Sequence, residues 1–411
     1  MAVIRPFKAL RPKENVAHLV ASVPYDVVNR DEAALMAQDF PNSYLRITRA
    51  EIELGKDVNP YSDEVYQKAK ENLAKIKNEA PLVTDEKPHL YVYKLVMGNQ
   101  EQTGIAATFA VDDYDNNVIL KHEKTRKDKE DDRTKHIVTT EAQTGPVFLT
   151  YRGVDRVNSL VDKTMNENAP LYDFTAPDGI KHTVWIMPDE YVEEVTGEIA
   201  KVKNLYIADG HHRAASAARA RRVKKENNPG HNGSEEYNFF LAVLFPAEEL
   251  KIMPYNRAVS DLNGLSKEEF LGRVNKHFTI DEKGSPEPPE KRSFSMYLGG
   301  KWYLLKPNDT VKHSESVGEN LDVSILQNYL LNPVLGIDDP RTNKRVDFIG
   351  GIRGTGELEK LVNSGKMAVA FSMYPVSVQD LMNISDAGEI MPPKSTWFEP
   401  KLRDGLLVHL I

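Results

Sequence analysis

The chain contains no cysteine and no long apolar run, and both absences restrict the chemistry that it can carry. Without cysteine it cannot form disulfides, thiolate metal sites, iron–sulfur clusters or a cysteine nucleophile. No stretch approaches the roughly 20 uninterrupted apolar residues of a membrane-spanning helix, and the first residues, MAVIRPFKALRP, lack the apolar core of a signal peptide. We therefore expect a cytoplasmic protein without membrane partners, whose chemistry uses histidine, carboxylates, hydroxyls and lysine.

Several familiar motifs are also missing. The sequence has no Walker lysine motif, no GxGxxG and no GxSxG, which disfavours P-loop, dinucleotide-binding Rossmann and α/β-hydrolase folds. It has no HExxH or comparable ligand spacing, so we predict no metal site made of histidines. An excess of positive charge is absent too, because the formal net charge is −8, and this disfavours a nucleic-acid partner.

The composition that remains is that of a globular protein with a sizeable core. The 411 residues are 40% hydrophobic and 28% charged, which suits two domains or one large domain with an insertion. Alternating helical and strand patterns predict an α/β (α+β) protein with a mixed sheet core, including an amphipathic helix over 60–79 and a strand over 147–152. We predict a catalytic region over 1–260, a second, smaller α/β domain over 261–380, and a C-terminal segment, 381–411, that returns to the core.

The clearest local pattern is NLYIADGHHRAASAARARR, in which an apolar strand runs through Asp-Gly into an alanine-rich helix. A helix start exposes unpaired N–H groups and the positive end of the helix dipole, so it can bind phosphate. Gly210 permits a tight turn, Arg213 offers a bidentate fork, and His211 and His212 add donors. Asp209 could cap the helix, hold a histidine tautomer or act as a base. The alternative is that Asp209 merely caps a helix and the histidines are surface residues.

A charged run, KHEKTRKDKEDDRTKH at 121–136, follows the apolar strand that ends at Leu120. Its spacing suits a helix with little apolar surface. One interpretation is a solvated helix with weak ion pairs. The other uses the position after a strand end, where α/β folds build sites: His122 and Glu123 become acid, base or metal candidates, and Arg133 could reach a phosphate.

Three further segments have the polar side chains of a site lining, although ordinary turns are the alternative for each. They are VPYDVV, PNSYLRIT and MPPKSTWFEP, and the Pro-Pro pair of the last can hold donors in place with little loss of entropy. The loop TGP at 144–146, just before a strand, is similar. The candidate substrate-binding residues are Asp26, Asn42, Arg46, Ser395 and Thr396, and Lys394 is a candidate for the cofactor.

These segments together carry a family resemblance over nearly the whole chain. PYDVV, KHEKT, TGPVFLTYR, IADGHHRAASA and the C-terminal EIMPPKSTWFEPKL resemble the bacterial and archaeal family catalogued as domain of unknown function 1015. DGHHR also resembles the phosphate-binding signature of the ParB/sulfiredoxin superfamily, which includes free-serine kinases. The chain has His where sulfiredoxins place a reactive Cys, and it lacks the helix-turn-helix segment and basic surface of the DNA-segregation members.

The resemblance implies a ParB/sulfiredoxin-like nucleotide-binding unit in which Gly210, His211, His212 and Arg213 hold nucleotide phosphates and a carboxylate acts as base. Our hypothesis is a kinase that uses ATP or ADP with Mg²⁺ to phosphorylate a hydroxyl of a small metabolite, serine being the first candidate. Asp209 or Glu123 would be the base. The alternatives are a nucleotide-binding regulatory protein without turnover and a metal-dependent phosphodiesterase or nuclease, which the acidic charge disfavours. The sequence makes no prediction of oligomeric state.

Overall fold

The computed structural model describes residues 2–79 and 81–411. It confirms a mixed α/β protein, which divides into two compact units. The first unit comprises residues 1–121, 125–250 and 400–411, and the second comprises 122–124 and 251–399. The functional boundaries at 260 and 380 stay a prediction.

The described residues form the following strands and helices. The strands are β1 (Ile4–Arg5), β2 (Ala9–Pro12), β3 (Leu82–Thr84), β4 (Tyr91–Met97), β5 (Gln100–Ala110), β6 (Ile119–Leu120), β7 (Ala142–Gln143), β8 (Val147–Tyr151), β9 (Tyr172–Thr175), β10 (Lys181–Ile186), β11 (Leu205–Asp209), β12 (Phe239–Pro246), β13 (Ile252–Met253), β14 (Tyr255–Val259), β15 (Phe278–Asp281), β16 (Phe294–Leu298), β17 (Lys301–Pro307), β18 (Val346–Gly350), β19 (Val369–Met373), β20 (Trp397–Phe398) and β21 (Val408–Leu410). The helices are α1 (Ala17–Val20), α2 (Arg30–Ala37), α3 (Leu45–Thr48), α4 (Asp63–Asn78), α5 (Val111–Asp115), α6 (Lys127–Thr140), α7 (Asp155–Glu167), α8 (Asp189–Lys201), α9 (His211–Glu226), α10 (Lys267–Val274), α11 (Asp322–Leu326), α12 (Gly354–Asn363) and α13 (Val378–Asp386).

The first unit is built on a mixed sheet with the order β6-β11-β8-β12-β5-β4-β10-β9, to which β1 adds by pairing with β5. The β6–β11 and β8–β12 pairings are parallel and the others antiparallel. Strand β8 is buried along its whole length, which explains its continuous apolar sequence. A second sheet, β3-β2-β21-β7, contains the last strand of the chain, so residues 400–411 pack within this unit, whereas 381–399 belong to the second unit.

Two helix predictions show how local patterns and packing interact. Helix α4 confirms the amphipathic helix, because Val65, Ala69, Leu73 and Ile76 are all buried. The helix predicted over 121–136 begins only at Lys127, so its first six residues were assigned wrongly. The carbonyl of His122 accepts a hydrogen bond from the backbone N–H of Met391 in the same unit, which takes the place of a helical i to i+4 bond.

The second unit contains an antiparallel sheet with the order β15-β17-β16-β19-β14-β18 and a short β13–β20 pair. Strands β16 and β17 form an antiparallel hairpin within this sheet. Helix α11 continues into a π-helical turn, Gln327–Leu331. Within the described residues, neither unit has a helix that combines the length and the apolar composition needed to cross a bilayer.

The turn before the last strand depends on one glycine. Gly405 has φ +84°, and a Cβ there would lie 2.5 Å from the ring of Tyr44. Tyr44 is fully buried. Because both the backbone conformation and the close contact exclude a side chain, Gly405 fixes the position of the neighbouring Asp404.

We expect Gly405→Ala to destabilise the protein more than Gly179→Ala does. Gly179 has a similar φ of +81°, but nothing lies within 4 Å of its would-be Cβ. The left-handed conformation costs both variants roughly 1–2 kcal/mol, and the clash with Tyr44 should add about 1–3 kcal/mol. Urea unfolding of the two variants measures the difference, and equal losses would show that the contact with Tyr44 relaxes freely.

Candidate anion-binding site

The DGHHR segment forms the predicted strand–turn–helix junction. Strand β11 ends at Asp209, and its register with β8 shifts between Ile207 and Asp209. Gly210 follows with φ +91°, and α9 begins at His211. A Cβ on Gly210 would lie 2.8 Å from Nε of Arg213, so the guanidinium folds back over the glycine. Glycine is therefore required here both for the backbone conformation and for the approach of Arg213.

The start of α9 differs from the interpretation in which Asp209 caps the helix and the histidines lie on the surface. Its N-cap is Gly210, which has no side chain, and the first helical hydrogen bond runs from the N–H of Ala214 to the carbonyl of Gly210. Asp209 therefore does not cap the helix. His211 is only 5% exposed, so it is not a surface residue, whereas His212 is half-buried. The interpretation of this motif as a capped helix with surface histidines is wrong for Asp209 and His211.

Arg213 connects three segments of the first unit. Its Nη1 donates to the carbonyl of Pro146, and its Nη2 lies 3.0 Å from Oδ2 of Asp209. The Nζ of Lys401, from the C-terminal segment, lies 3.5 Å from the same oxygen. Antiparallel pairing places Asp209 opposite Phe148, which brings the TGP loop before β8 next to the DGHHR turn. The sheet register thus explains why these segments meet.

The charge of Asp209 is held by these cations. Burial opposes ionisation of this carboxyl, but the charges of Lys401 and Arg213 outweigh it and keep the pKa of Asp209 well below its usual value. Burial likewise opposes the charge of Arg213, yet the neighbouring carboxylates, Asp209 foremost, raise the pKa of Arg213 above its usual value. A carboxylate with so low a pKa is a weak proton acceptor at neutral pH.

A second carboxylate, Asp404, lies in this cluster and was not among the residues predicted from sequence. It is 1% exposed, and a Cβ on Gly145 would collide with its carboxylate. Its backbone forms an antiparallel bridge with Ser22 through hydrogen bonds of 2.9 and 3.1 Å. Burial raises the pKa of Asp404 to about 7, although Arg213 and Arg133 act in the opposite direction.

Arg133 reaches the cluster from α6. Its Nε and Nη2 lie 2.9 and 3.0 Å from the carboxylate oxygens of Asp132, and its Cζ lies 4.1 Å from the ring centre of Tyr25. Helices α6 and α9 are also joined near their N-termini, because the backbone N–H of Arg126 donates to Nε2 of His212 at 3.0 Å. That hydrogen bond forms only when Nε2 of His212 carries no proton, which is the case for the neutral ring in its Nδ1–H tautomer.

The space beside these charges is a narrow crevice. It is lined by Arg213, Arg133, Tyr25, Asp404 and the TGP loop, and its volume is about 30 Å³. That is room for about one or two water molecules. In this conformation the crevice is too small to hold a phosphate group.

The structure brings together only part of the predicted site. Seven of the predicted residues share this cluster of the first unit: Asp26, Arg133, Asp209, Gly210, His211, His212 and Arg213. Arg46 is instead bonded to the carbonyls of Phe40 and Ala37 and to Glu53, and Asn42 is half-buried in the turn before α3.

The remaining predicted residues belong to the second unit. They are His122, Glu123, Lys394, Ser395 and Thr396. Ser395 donates to the carbonyl of Pro392 at 2.6 Å, and Nζ of Lys394 lies 5.6 Å from the ring centre of Tyr255. Among the described residues, no group of three or more metal-ligating side chains occurs.

The residues that sequence reasoning missed are Tyr25, Lys401 and Asp404. The signal for Asp404 was the Asp-Gly pair of LRDGL, which indicates a turn but not what the turn packs against. Tyr25 directly precedes Asp26 in VPYDVV, a segment that the sequence predicts to line the site. Lys401 had no local signal, since one lysine in a Pro-rich tail is ordinary.

The fold and this turn define a mixed α/β protein in which basic side chains surround a glycine-capped helix start. The chain belongs to the family described as protein of unknown function (DUF1015), whose model matches residues 4–324. This confirms the predicted membership, while the C-terminal EIMPPKSTWFEPKL lies beyond the matched residues. No curated protein is significantly similar in sequence.

Several solved structures are distantly similar. A free serine kinase in complex with AMP is 11% identical with a TM-score of 0.38, over 74% of this chain and 91% of that one. SbnI with a C-terminal truncation from Staphylococcus aureus is 12% identical with a TM-score of 0.39, over 74% and 87%. A conserved hypothetical protein from Pyrococcus furiosus is 13% identical with a TM-score of 0.38, over 75% and 95%. Similarity at this level does not assign a function.

We expect Asp404→Asn to change how stability depends on pH. The pKa of Asp404 is about 7 in the folded protein and near 3.8 when the carboxyl is unperturbed, so the wild type loses stability as pH rises between those values. The variant has no such proton to lose. Its stability relative to wild type should therefore rise by roughly 3 kcal/mol from pH 4 to pH 7 and stay level above that. Urea unfolding at a series of pH values tests this, and a difference independent of pH would contradict it.

Proposed function

We propose that this protein is a nucleotide-dependent kinase that phosphorylates a hydroxyl group of a small metabolite, with serine as the first acceptor to test. The observation that carries the proposal is the start of α9. Its N-cap has no side chain, and the guanidinium of Arg213 lies over it. The helix dipole and the arginine charge thus coincide at one point, which favours a polyanion.

In this proposal, the phosphates bind to the turn itself. Backbone N–H groups from Gly210 to Arg213 are the donors, with the imidazoles of His211 and His212 beside them and Arg133 as a further cation. Phosphoryl transfer depends mainly on positioning and on neutralising charge, which a set of arginines, histidines and amides can supply. Lys394 stays a candidate from the sequence.

Phosphate binding would require the narrow crevice to change. Arg213 is bonded to Pro146 and Asp209 in the structure, and the adjacent volume is about 30 Å³. We infer that the guanidinium exchanges its bond to the Pro146 carbonyl for one to a phosphate oxygen and keeps its bond to Asp209. That exchange replaces a neutral acceptor by a charged one, which strengthens the hydrogen bond.

Magnesium and the base complete the proposal. Mg²⁺ is commonly held by one or two carboxylates together with substrate phosphates, and Asp26 is an exposed carboxylate whose charge acts on Arg213. The ion would supply neutralisation of phosphate charge at this point. The contacts and low pKa of Asp209 favour a role in holding Arg213 over that of a proton acceptor, and Glu123 stays a candidate base from the sequence.

One observation favours the second candidate, a regulatory protein that binds nucleotide without turning it over. The cations of the turn are already paired with carboxylates inside the protein, Arg213 with Asp209 and Arg133 with Asp132. A nucleotide that competes for these pairs would rearrange the crevice, and such a rearrangement can itself be the output.

The direct test is phosphorylation of a panel of hydroxylated metabolites, including L-serine, with ATP or ADP and Mg²⁺. We expect a phosphorylated product, and we expect Arg213→Ala to abolish it because the cation over the helix start is lost. Arg213→Lys keeps the charge but not the fork and should retain part of the nucleotide affinity. The matched control is Arg222→Ala, which removes an exposed arginine of the same helix.

Three outcomes separate the candidates. Product that disappears in Arg213→Ala but not in Arg222→Ala supports the kinase. Calorimetric binding of nucleotide without product supports the regulatory protein. The kinase proposal fails if neither ATP nor ADP binds, or if folded Arg213→Ala protein turns nucleotide over as the wild type does.

A further inference from the structure

The first unit contains a second, larger cavity beside the crevice. Its volume is about 270 Å³, close to the lower end of the range for small-molecule sites. Helices α4 and α6 form one wall and the segment 47–61 forms the other. A cavity of this size accommodates a small metabolite.

The charges around this cavity are mostly positive. Five basic side chains line it, against two acidic ones, Glu51 and Asp132. Burial lowers the pKa of His136, which also lines it, to about 4, so this ring is neutral at physiological pH. The excess of positive charge favours an anionic occupant. The basic residues are Arg30, Arg49, Lys56, Lys129 and Arg133.

Much of this positive charge is fixed in place without being neutralised. Arg30 donates four hydrogen bonds of 2.7–2.9 Å to backbone carbonyls of residues 51–56, and carbonyls hold a guanidinium without cancelling its charge. Lys129 Nζ donates to the hydroxyl of Tyr61 at 2.8 Å, again a neutral partner. The acids are already engaged, because Glu51 pairs with Arg49 at 3.1 Å and Asp132 with Arg133. The uncompensated charge therefore lies on Arg30 and Lys129, with Lys56 at the rim.

The cavity is connected to the crevice through shared side chains. Arg133, Tyr25 and His136 line both spaces. A ligand in the larger cavity would therefore lie next to the cation that also faces Arg213. Among the described residues, these are the three that line both the crevice and the larger cavity.

We propose that this cavity binds a small metabolite that carries a carboxylate or phosphate group, with Lys129 and Arg30 as its charged contacts. Binding itself does not require nucleotide turnover. A second part of the proposal rests on the proposed function: the metabolite is the acceptor or product of phosphoryl transfer. The cavity would then hold the anionic group of the acceptor and direct the acceptor's hydroxyl toward Arg133.

The test uses O-phospho-L-serine, which carries both anionic groups, with L-serine and inorganic phosphate to separate them. Calorimetry should show binding of O-phospho-L-serine to the wild type, weakened about tenfold or more in Lys129→Met and in Arg30→Met. The matched control is Lys127→Met, because Lys127 lies two residues away on α6, is paired with Asp131 and does not line the cavity. Its affinity should stay within about twofold of wild type.

The outcomes distinguish this proposal from the kinase. If O-phospho-L-serine binds and Lys129→Met weakens it while ATP affinity is unchanged, the cavity is supported whether or not product forms. If ATP binds but the wild type binds none of the three probes, the cavity proposal is overturned and the kinase stands. Equal losses in Lys129→Met and Lys127→Met would also overturn it, since they would reflect surface charge alone. Circular dichroism confirms that each variant is folded.

Discussion

The guanidinium of Arg213 is the interaction on which the first unit's polar cluster depends. It joins the carbonyl of Pro146, directly before β8, to the carboxylate of Asp209, at the end of β11, and it covers Gly210. Those bonds need the antiparallel register of the two strands and a residue without Cβ at position 210. Sheet pairing, backbone conformation and charge are thus set together at one side chain.

The charges buried in this cluster only partly neutralise one another. Asp209 is held ionised by two cations, whereas burial keeps the proton on Asp404 up to about neutral pH. A buried charge that lacks a partner is costly, so an added anion can be accepted where cations outnumber carboxylates. That condition holds more clearly in the larger cavity, where Arg30 and Lys129 have neutral partners, than in the crevice. Arg133 faces both spaces.

Local sequence patterns predicted helices and strands correctly where the backbone preferences and the apolar spacing both favour the same element. The alternation of strand, Asp-Gly and alanine-rich helix at DGHHR appears as β11, a left-handed Gly210 and α9. The apolar spacing of 65–76 appears as the buried face of α4. The error at 121–126 arose because charged spacing resembles a helix, while a hydrogen bond from Met391, more than 260 residues away, holds His122 outside one.

The sequence predicted the residues of the DGHHR motif but not the distant residues that pack against them. Arg213 and its neighbours lie in one short motif, so the sequence alone identified them, and it also determined the family and the mixed α/β class. Only the tertiary structure decided that Lys401 and Asp404 join them, since these residues lie almost two hundred positions further along the chain. It likewise decided that Asp209 binds cations and does not cap α9. Sequence encodes periodicity and turn chemistry over a few residues, whereas which distant charges share a buried volume is fixed by the packing of the whole unit.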